Sequence, residues 1–198
     1  MEISHDILKA CIKGHEKAHF ELYRLCYNTL MKITTRYHAD QQEAVSVMNL
    51  CFYKIVTNLT KYSPEIPFEP WFKKVAINTI IDEYRKNRKH KMYIQYVDQS
   101  SNFPECGHDF NAAECKMNVD QLYKLIAELP EIHGKVFNLF AIDGYSHADI
   151  AQLIGLSEGT SKWYLNQARK LLQEKIINQQ VISRKTNQEN SAVKLKPI

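Results

Sequence analysis

The stretch HADIAQLIGLSEGTSKWYLNQARK, His147–Lys170, decides the fold. Ile150, Leu153 and Ile154 recur on one side of a first helix, and Ala151 is small where a second helix would cross closely. Gly155 permits a sharp turn, Leu156 plugs it, and Ser157 is a good N-cap for the second helix. Ser146 plays the same capping part for the first. The pattern predicts a helix-turn-helix, although a helical hairpin with no nucleic-acid role would share it. The outer face of the second helix separates the two readings. Thr160, Lys162, Trp163, Asn166, Gln167, Arg169 and Lys170 offer hydroxyl, amide, indole and cationic groups, the types that reach base edges and phosphates in a major groove. The competing reading is a merely solvated surface.

The bulk of the chain is ordinary for a globular protein. Its 198 residues are 44% hydrophobic and 24% charged, which fits one large domain or two small ones and excludes a disordered polymer. A net charge of +4 is too small to name a polyanionic partner, so the placement of the charges matters more than their sum. Five cysteines, at positions 11, 26, 51, 106 and 115, show no repeating spacing, and Cys11, Cys26 and Cys51 fall inside apolar helical patterns. That argues against a disulfide framework and for a reducing cytoplasm. No apolar run reaches the roughly 18 residues of a membrane span, and the first residues lack the pattern of a secretory signal.

From Ile7 to about Lys91 the periodicity is helical. Phe20, Tyr23, Tyr27, Leu30, Met31 and Thr34 share one predicted face, and Val47, Met48, Cys51, Phe52, Ile55 and Leu59 share another. Pro64, Pro67 and Pro70 then impose a stiff loop, with Pro70 in the first turn of a helix beginning near Trp71. That helix aligns Phe72, Ala76, Ile80 and Tyr84. Residues 93–116 are polar and aperiodic and read as a flexible linker, and helical periodicity returns over 117–177. Residues 178–198 read as a polar, unstructured tail. The predicted fold is therefore all-α, with two small helical domains, 1–92 and 117–177, and a helix-turn-helix in the second.

The helix after the proline loop is basic, with Lys73, Lys74, Arg85, Lys86, Arg88, Lys89 and Lys91 against Asp82 and Glu83. Such a helix attracts phosphates through counterion release. Lys74, Asn78 and Arg85 can share a face, and Tyr62, Phe68 and Trp71 lie close by in sequence. Aromatics beside cations and an amide are the groups that hold unstacked bases of a single strand. The competing reading puts Trp71, Phe72 and Tyr84 in the core and pairs Asp82 with Lys86.

Together these segments resemble an extracytoplasmic-function sigma factor, the small two-domain class of RNA polymerase specificity subunit. The resemblance covers roughly residues 16–177. It is carried by LPEIHGKVFNLFAIDGYSHADIAQLIGLSEGTSKWYLNQARKLL and by FEPWFKKVAINTIIDEYRKNRK, where Trp71, Asn78, Asp82 and Arg85 stand in the family's order. It implies core RNA polymerase and promoter DNA as partners, and an anti-sigma factor as a candidate third. It further implies that Thr160, Lys162, Trp163, Asn166, Gln167, Arg169 and Lys170 contact the upstream (minus thirty-five) element as duplex. The downstream (minus ten) element falls to Tyr62, Phe68, Lys74, Asn78 and Arg85, where the strands open. The segment AVSVMNLCF departs from the family's acidic pattern, leaving Ser46, Asn49 and Phe52 as the polymerase-facing residues. Ser161 stands where the family carries an apolar β-branched residue, which shifts packing onto Trp163 or Tyr164.

Two other readings compete. A helix-turn-helix regulator independent of polymerase would leave the basic helix and its loop without a task. A zinc site at Cys106, His108 and Cys115 would need a fourth ligand and matches no strong spacing. No nucleophile–base spacing or phosphate loop points to an enzyme, and no cofactor or metal is expected.

Overall fold

The computed structural model describes residues 3–91 and 119–193. The linker reading of 93–116, with Cys106, His108 and Cys115, falls outside them. The first unit comprises α1 (His5–Ile12), α2 (Glu16–Tyr37), α3 (Gln41–Asn58), a short 3-10 turn at Leu59–Lys61, and α4 (Phe68–Lys91). The second comprises α5 (Val119–Ala127), α6 (Glu131–Phe137), a π turn at Asn138–Ile142, α7 (His147–Ile154) and α8 (Glu158–Val193). No described residue is in a strand.

In the first unit α3 packs against both α2 and α4. Leu22, Cys26 and Leu30 meet Met48, Cys51 and Ile55, which meet Phe72, Ala76 and Ile80, all fully buried. The face predicted for α2 is displaced. Phe20 is 65% exposed and Tyr27 38%, while Leu22, Cys26, Leu30, Ile33 and Tyr37 turn inward. Two stripes compete on this helix, and the one carrying Leu22, Cys26, Leu30 and Ile33 is the one buried. Cys11, Cys26 and Cys51 are buried free thiols, with burial pushing Cys26 and Cys51 up to about 12. They are packing residues, too poorly ionised to act as nucleophiles.

The helix after the proline loop begins at Phe68, three residues before Trp71. Pro70 is accommodated because the first N–H groups of a helix have no intrahelical acceptor to lose. At the other end of the chain, α8 does not stop near Ile177 but continues to Val193, so the segment read as an unstructured tail is helical through that residue. The sequence there lacks a helix stop: neither glycine nor proline interrupts it before Pro197.

In the second unit the turn chemistry is local and strong. Ser146 and Asp149 form a reciprocal capping box at the start of α7. Gly155 closes the helix at φ +79, a left-handed conformation that L side chains resist. The Ser157 hydroxyl then accepts from the Thr160 amide at 3.0 Å to start α8. Ile150, Ile154, Leu165, Ala168 and Leu172 join Leu125, Val136 and Leu139 in the core between α7, α8, α5 and α6.

Candidate nucleic-acid interface

The first turns of α8 carry the residues expected to meet the upstream element. Lys162 and Lys170 are exposed, and Asn166, Gln167 and Arg169 are half-buried along the same helix. Thr160 is half-buried and its hydroxyl lies 2.8 Å from that of Ser157, engaged in the cap. Trp163 is half-buried, its ring in contact with Tyr164 at 4.9 Å and with His133 at 5.9 Å. Both therefore hold the turn as well as facing outward.

Ser161 is fully buried, and its hydroxyl lies 2.9 Å from His147 Nδ1. His147 in turn stacks on Phe140, with ring centres 4.4 Å apart. The departure at Ser161 is thus a polar lock between the two helices of the motif rather than a hole awaiting Trp163. Burial, followed by the charges of Lys162 and Arg169, lowers the pKa of His147. The same two cations that disfavour a third charge there give this face a positive field for phosphates.

On the first unit, Tyr62, Phe68 and Trp71 form an aromatic cluster, with Tyr62–Trp71 and Tyr62–Phe68 centroids 5.1 and 5.3 Å apart. The Tyr62 hydroxyl donates to the Ile66 carbonyl at 2.6 Å, pinning the proline loop. Phe68, expected to contact the opened strand, is instead 6% exposed: it also packs on Phe72 and belongs to the core. Tyr62 and Trp71 are the half-buried members that face outward.

Beside α4 lies a cavity of about 620 Å³ lined by Asn78, Asp82, Arg85 and Lys86, with Lys54 and Asn58 contributed by α3. Asn78 and Arg85 both line this cavity, and Lys74 does not. It sits one turn before Asn78 on the same helical stripe and lines a second cavity, between the two units. The lysine at 86 pairs with Glu83 at 2.7 Å rather than with Asp82. Lys54 and Asn58 are additions to the expected set; their i,i+4 spacing on α3 is the signal that marks them.

Ser46, Asn49 and Phe52 succeed one another at helical spacing on α3. The structure adds Tyr23 of α2, whose hydroxyl donates to Asn49 Oδ1 at 3.1 Å and whose ring meets Phe52 edge-on at 5.0 Å. The patch is amide and aromatic rather than acidic.

A helical unit with a cation- and amide-lined cavity, succeeded by a helix-turn-helix with a polar outer face, defines a two-part DNA-binding protein. Residues 22–90 match the family model for sigma-70 region 2, and residues 120–172 match that for sigma-70 region 4. The chain is 24% identical over 169 residues to the RNA polymerase sigma-H factor of Pseudomonas aeruginosa, covering 81% of this chain and 88% of that one. It is 23% identical to the ECF RNA polymerase sigma-E factor of Haemophilus influenzae, covering 83% and 90%. A solved structure of the sigma factor RpoE with the anti-sigma factor NepR from Bartonella quintana is similar at 16% identity, covering 80% of this chain and 95% of that one, with a TM-score of 0.48. The chain belongs to the sigma-70 family. Within that family it is a sigma factor of the two-domain extracytoplasmic-function type.

Proposed function

We propose that this sigma factor recruits core RNA polymerase to promoters through a division of labour between its two units. Residues 1–92 hold the opened downstream element and face polymerase, and residues 117–177 read the upstream element as duplex. Lys162, Asn166 and Gln167 are the base readers, Arg169 and Lys170 meet the backbone, and Thr160 and Trp163 hold the helix start against the groove. Asn78 and Arg85 receive an unstacked base in the cavity beside α4, with Tyr62 and Trp71 as stacking surface. Ser46, Asn49 and Phe52, with Tyr23, face polymerase.

The observation that carries this reading is the cavity. A stand-alone regulator needs only the recognition helix, and a site uniting Asn78, Arg85, Lys54 and Asn58 would have no duplex to serve. No described helix is long and apolar enough to cross a membrane. A task on promoter DNA is the ground on which a cytoplasmic location is proposed. A relative of similar architecture is held by an anti-sigma factor, and such a partner is proposed here also. The test is run-off transcription with purified core polymerase on fragmented genomic DNA. Start sites sharing two spaced elements only when the protein is added support the reading. Silence, with no co-elution with core, favours the stand-alone regulator.

A further inference from the structure

The first turn of α8 is joined to α7 by a polar pair. Ser161 is fully buried, and its hydroxyl lies 2.9 Å from His147 Nδ1 at the start of α7. Among the described residues that hydroxyl has no other polar partner. The His147 ring is fixed in turn by Phe140 of the π turn, stacked 4.4 Å away. Further along the same inner stripe of α8, Leu165, Ala168 and Leu172 are apolar. The joint nearest the base-facing end of the helix is therefore the polar one.

This hydrogen bond fixes the protonation of the ring. A buried hydroxyl proton needs an acceptor, and an imidazole nitrogen accepts only when it carries no proton itself. Ser161 therefore donates to Nδ1, and the proton of the neutral ring sits on Nε2. Protonating Nδ1 would set an N–H against the hydroxyl and leave the Ser161 proton with no acceptor in the core. The surroundings disfavour that charge as well. Burial, followed by Lys162 and Arg169 of α8, lowers the pKa of His147 against the opposing pull of Glu158. The π turn presents only the uncharged ring of Phe140 to it.

The pair sits where a change of pitch would be felt by the base readers. Lys162 adjoins Ser161, and Asn166 follows one turn later. Hydrogen bonds to base edges depend on direction, whereas attraction to phosphates tolerates displacement. Loosening the first turn therefore lowers discrimination between sequences more than it lowers affinity for DNA in general.

We propose that His147 and Ser161 are a specificity-determining pair: with the ring neutral they hold the recognition helix at the pitch that discriminates between base sequences, and protonation of His147 releases it. Both are positioning residues that act through α8. The inference rests on the reading of α8 as the upstream-element reader. With a pKa below the ordinary value of about 6.5, the ring is neutral and discrimination complete above that pH; discrimination is lost as pH falls through the folded value. The added charge attracts every duplex alike, so the ratio of two affinities reports the pair and neither affinity alone does.

The test uses the full-length protein and a duplex that it enriches from a random pool at about pH 7.5, against a scrambled duplex of equal composition. The affinity ratio is measured by mobility shift between about pH 7.5 and about pH 5. The wild-type ratio is expected to fall at least about fivefold, the scale of one buried polar group losing its partner. His147→Asn places an amide oxygen where Nδ1 accepts and does not titrate, so it should keep the ratio at every pH. Ser161→Ala removes the donor and should give a low ratio that pH does not change. A flat wild-type ratio overturns the proposal. So does an equal fall in His147→Asn, which would assign the effect to another histidine, such as His133 against Trp163 and Tyr164. Should His147→Asn lose its helical circular-dichroism signal, imidazole nitrogen NMR of the wild type decides: a proton on Nδ1 at about pH 7.5 overturns the pair. That spectrum involves no DNA. A protein with the expected tautomer that enriches no sequence at any pH would instead overturn the upstream reading, and this proposal with it.

Discussion

Asn78→Ala separates strand capture from folding. The amide of Asn78 is half-buried at the wall of the cavity, and among the described residues no protein group hydrogen-bonds it. Truncating it removes no internal bond and opens no void in the core, so the stability change should stay within about 0.5 kcal/mol. An amide that pairs with a base edge is worth about 1–3 kcal/mol, or about 5- to 150-fold in equilibrium. The variant should therefore form open complexes at least about fivefold less well while melting at the wild-type temperature. Upstream duplex binding, carried on α8, should be unchanged. Permanganate reactivity of the downstream element reads opening, and mobility shift of an upstream duplex reads closed binding. Normal permanganate reactivity, or an equal loss in both assays, would refute the assignment of the cavity as the base pocket.

Lys162→Ala and Asn166→Ala should each weaken upstream-element binding by about 1–3 kcal/mol. Binding curves at several salt concentrations sort them: a base reader changes sequence preference, whereas a phosphate contact lowers the salt slope by about one. Gly155→Ala meets open space, so its cost is conformational alone, about 1–2 kcal/mol for a left-handed residue. The melting temperature should fall by about 2–4 °C per kcal/mol, and an unchanged value would contradict the turn geometry. Acidification should destabilise the fold through His38, His133 and His147, whose pKa values are all lowered, first by burial. A depressed histidine contributes stability that is complete above its unfolded value near 6.5 and is lost as pH falls below it toward the folded value. Flat stability between pH 7 and 5 would argue that these rings are hydrated.

The helix-turn-helix was legible because its determinants are local. Ser146, Gly155 and Ser157 act within a few residues of themselves, and the structure realises each as a cap or left-handed turn. The face of α2 was not legible, because aromatic and aliphatic stripes both satisfy a helical period and only the partner helix chooses between them. Phe68 escapes sequence reasoning for a similar reason: an aromatic beside a proline loop reads as exposed until Phe72 and Trp71 close over it. Lys74 and Asn78 share a helical stripe yet line different cavities, because the second unit packs beside the first turns of α4. Tyr23 and Asn49 meet across 26 residues, and Arg36 and Asp143 across 107, separations over which periodicity carries no signal.

The π turn at Asn138–Ile142 sets the phase of the chain beyond it. An α-helix advances about 100° per residue, so a chain that closes a wider i→i+5 ring absorbs one residue without rotating the residues downstream. Here that ring is closed by the Asp143 amide on the Asn138 carbonyl at 2.9 Å, and Asp143 is delivered to the end of α2. One further residue inserted with no wider ring to absorb it would carry the carboxylate about 100° around the helix axis, away from Arg36. Coupling between the halves of this molecule is therefore a matter of helical phase within one segment, and a single-codon insertion can undo it with no change to either binding face.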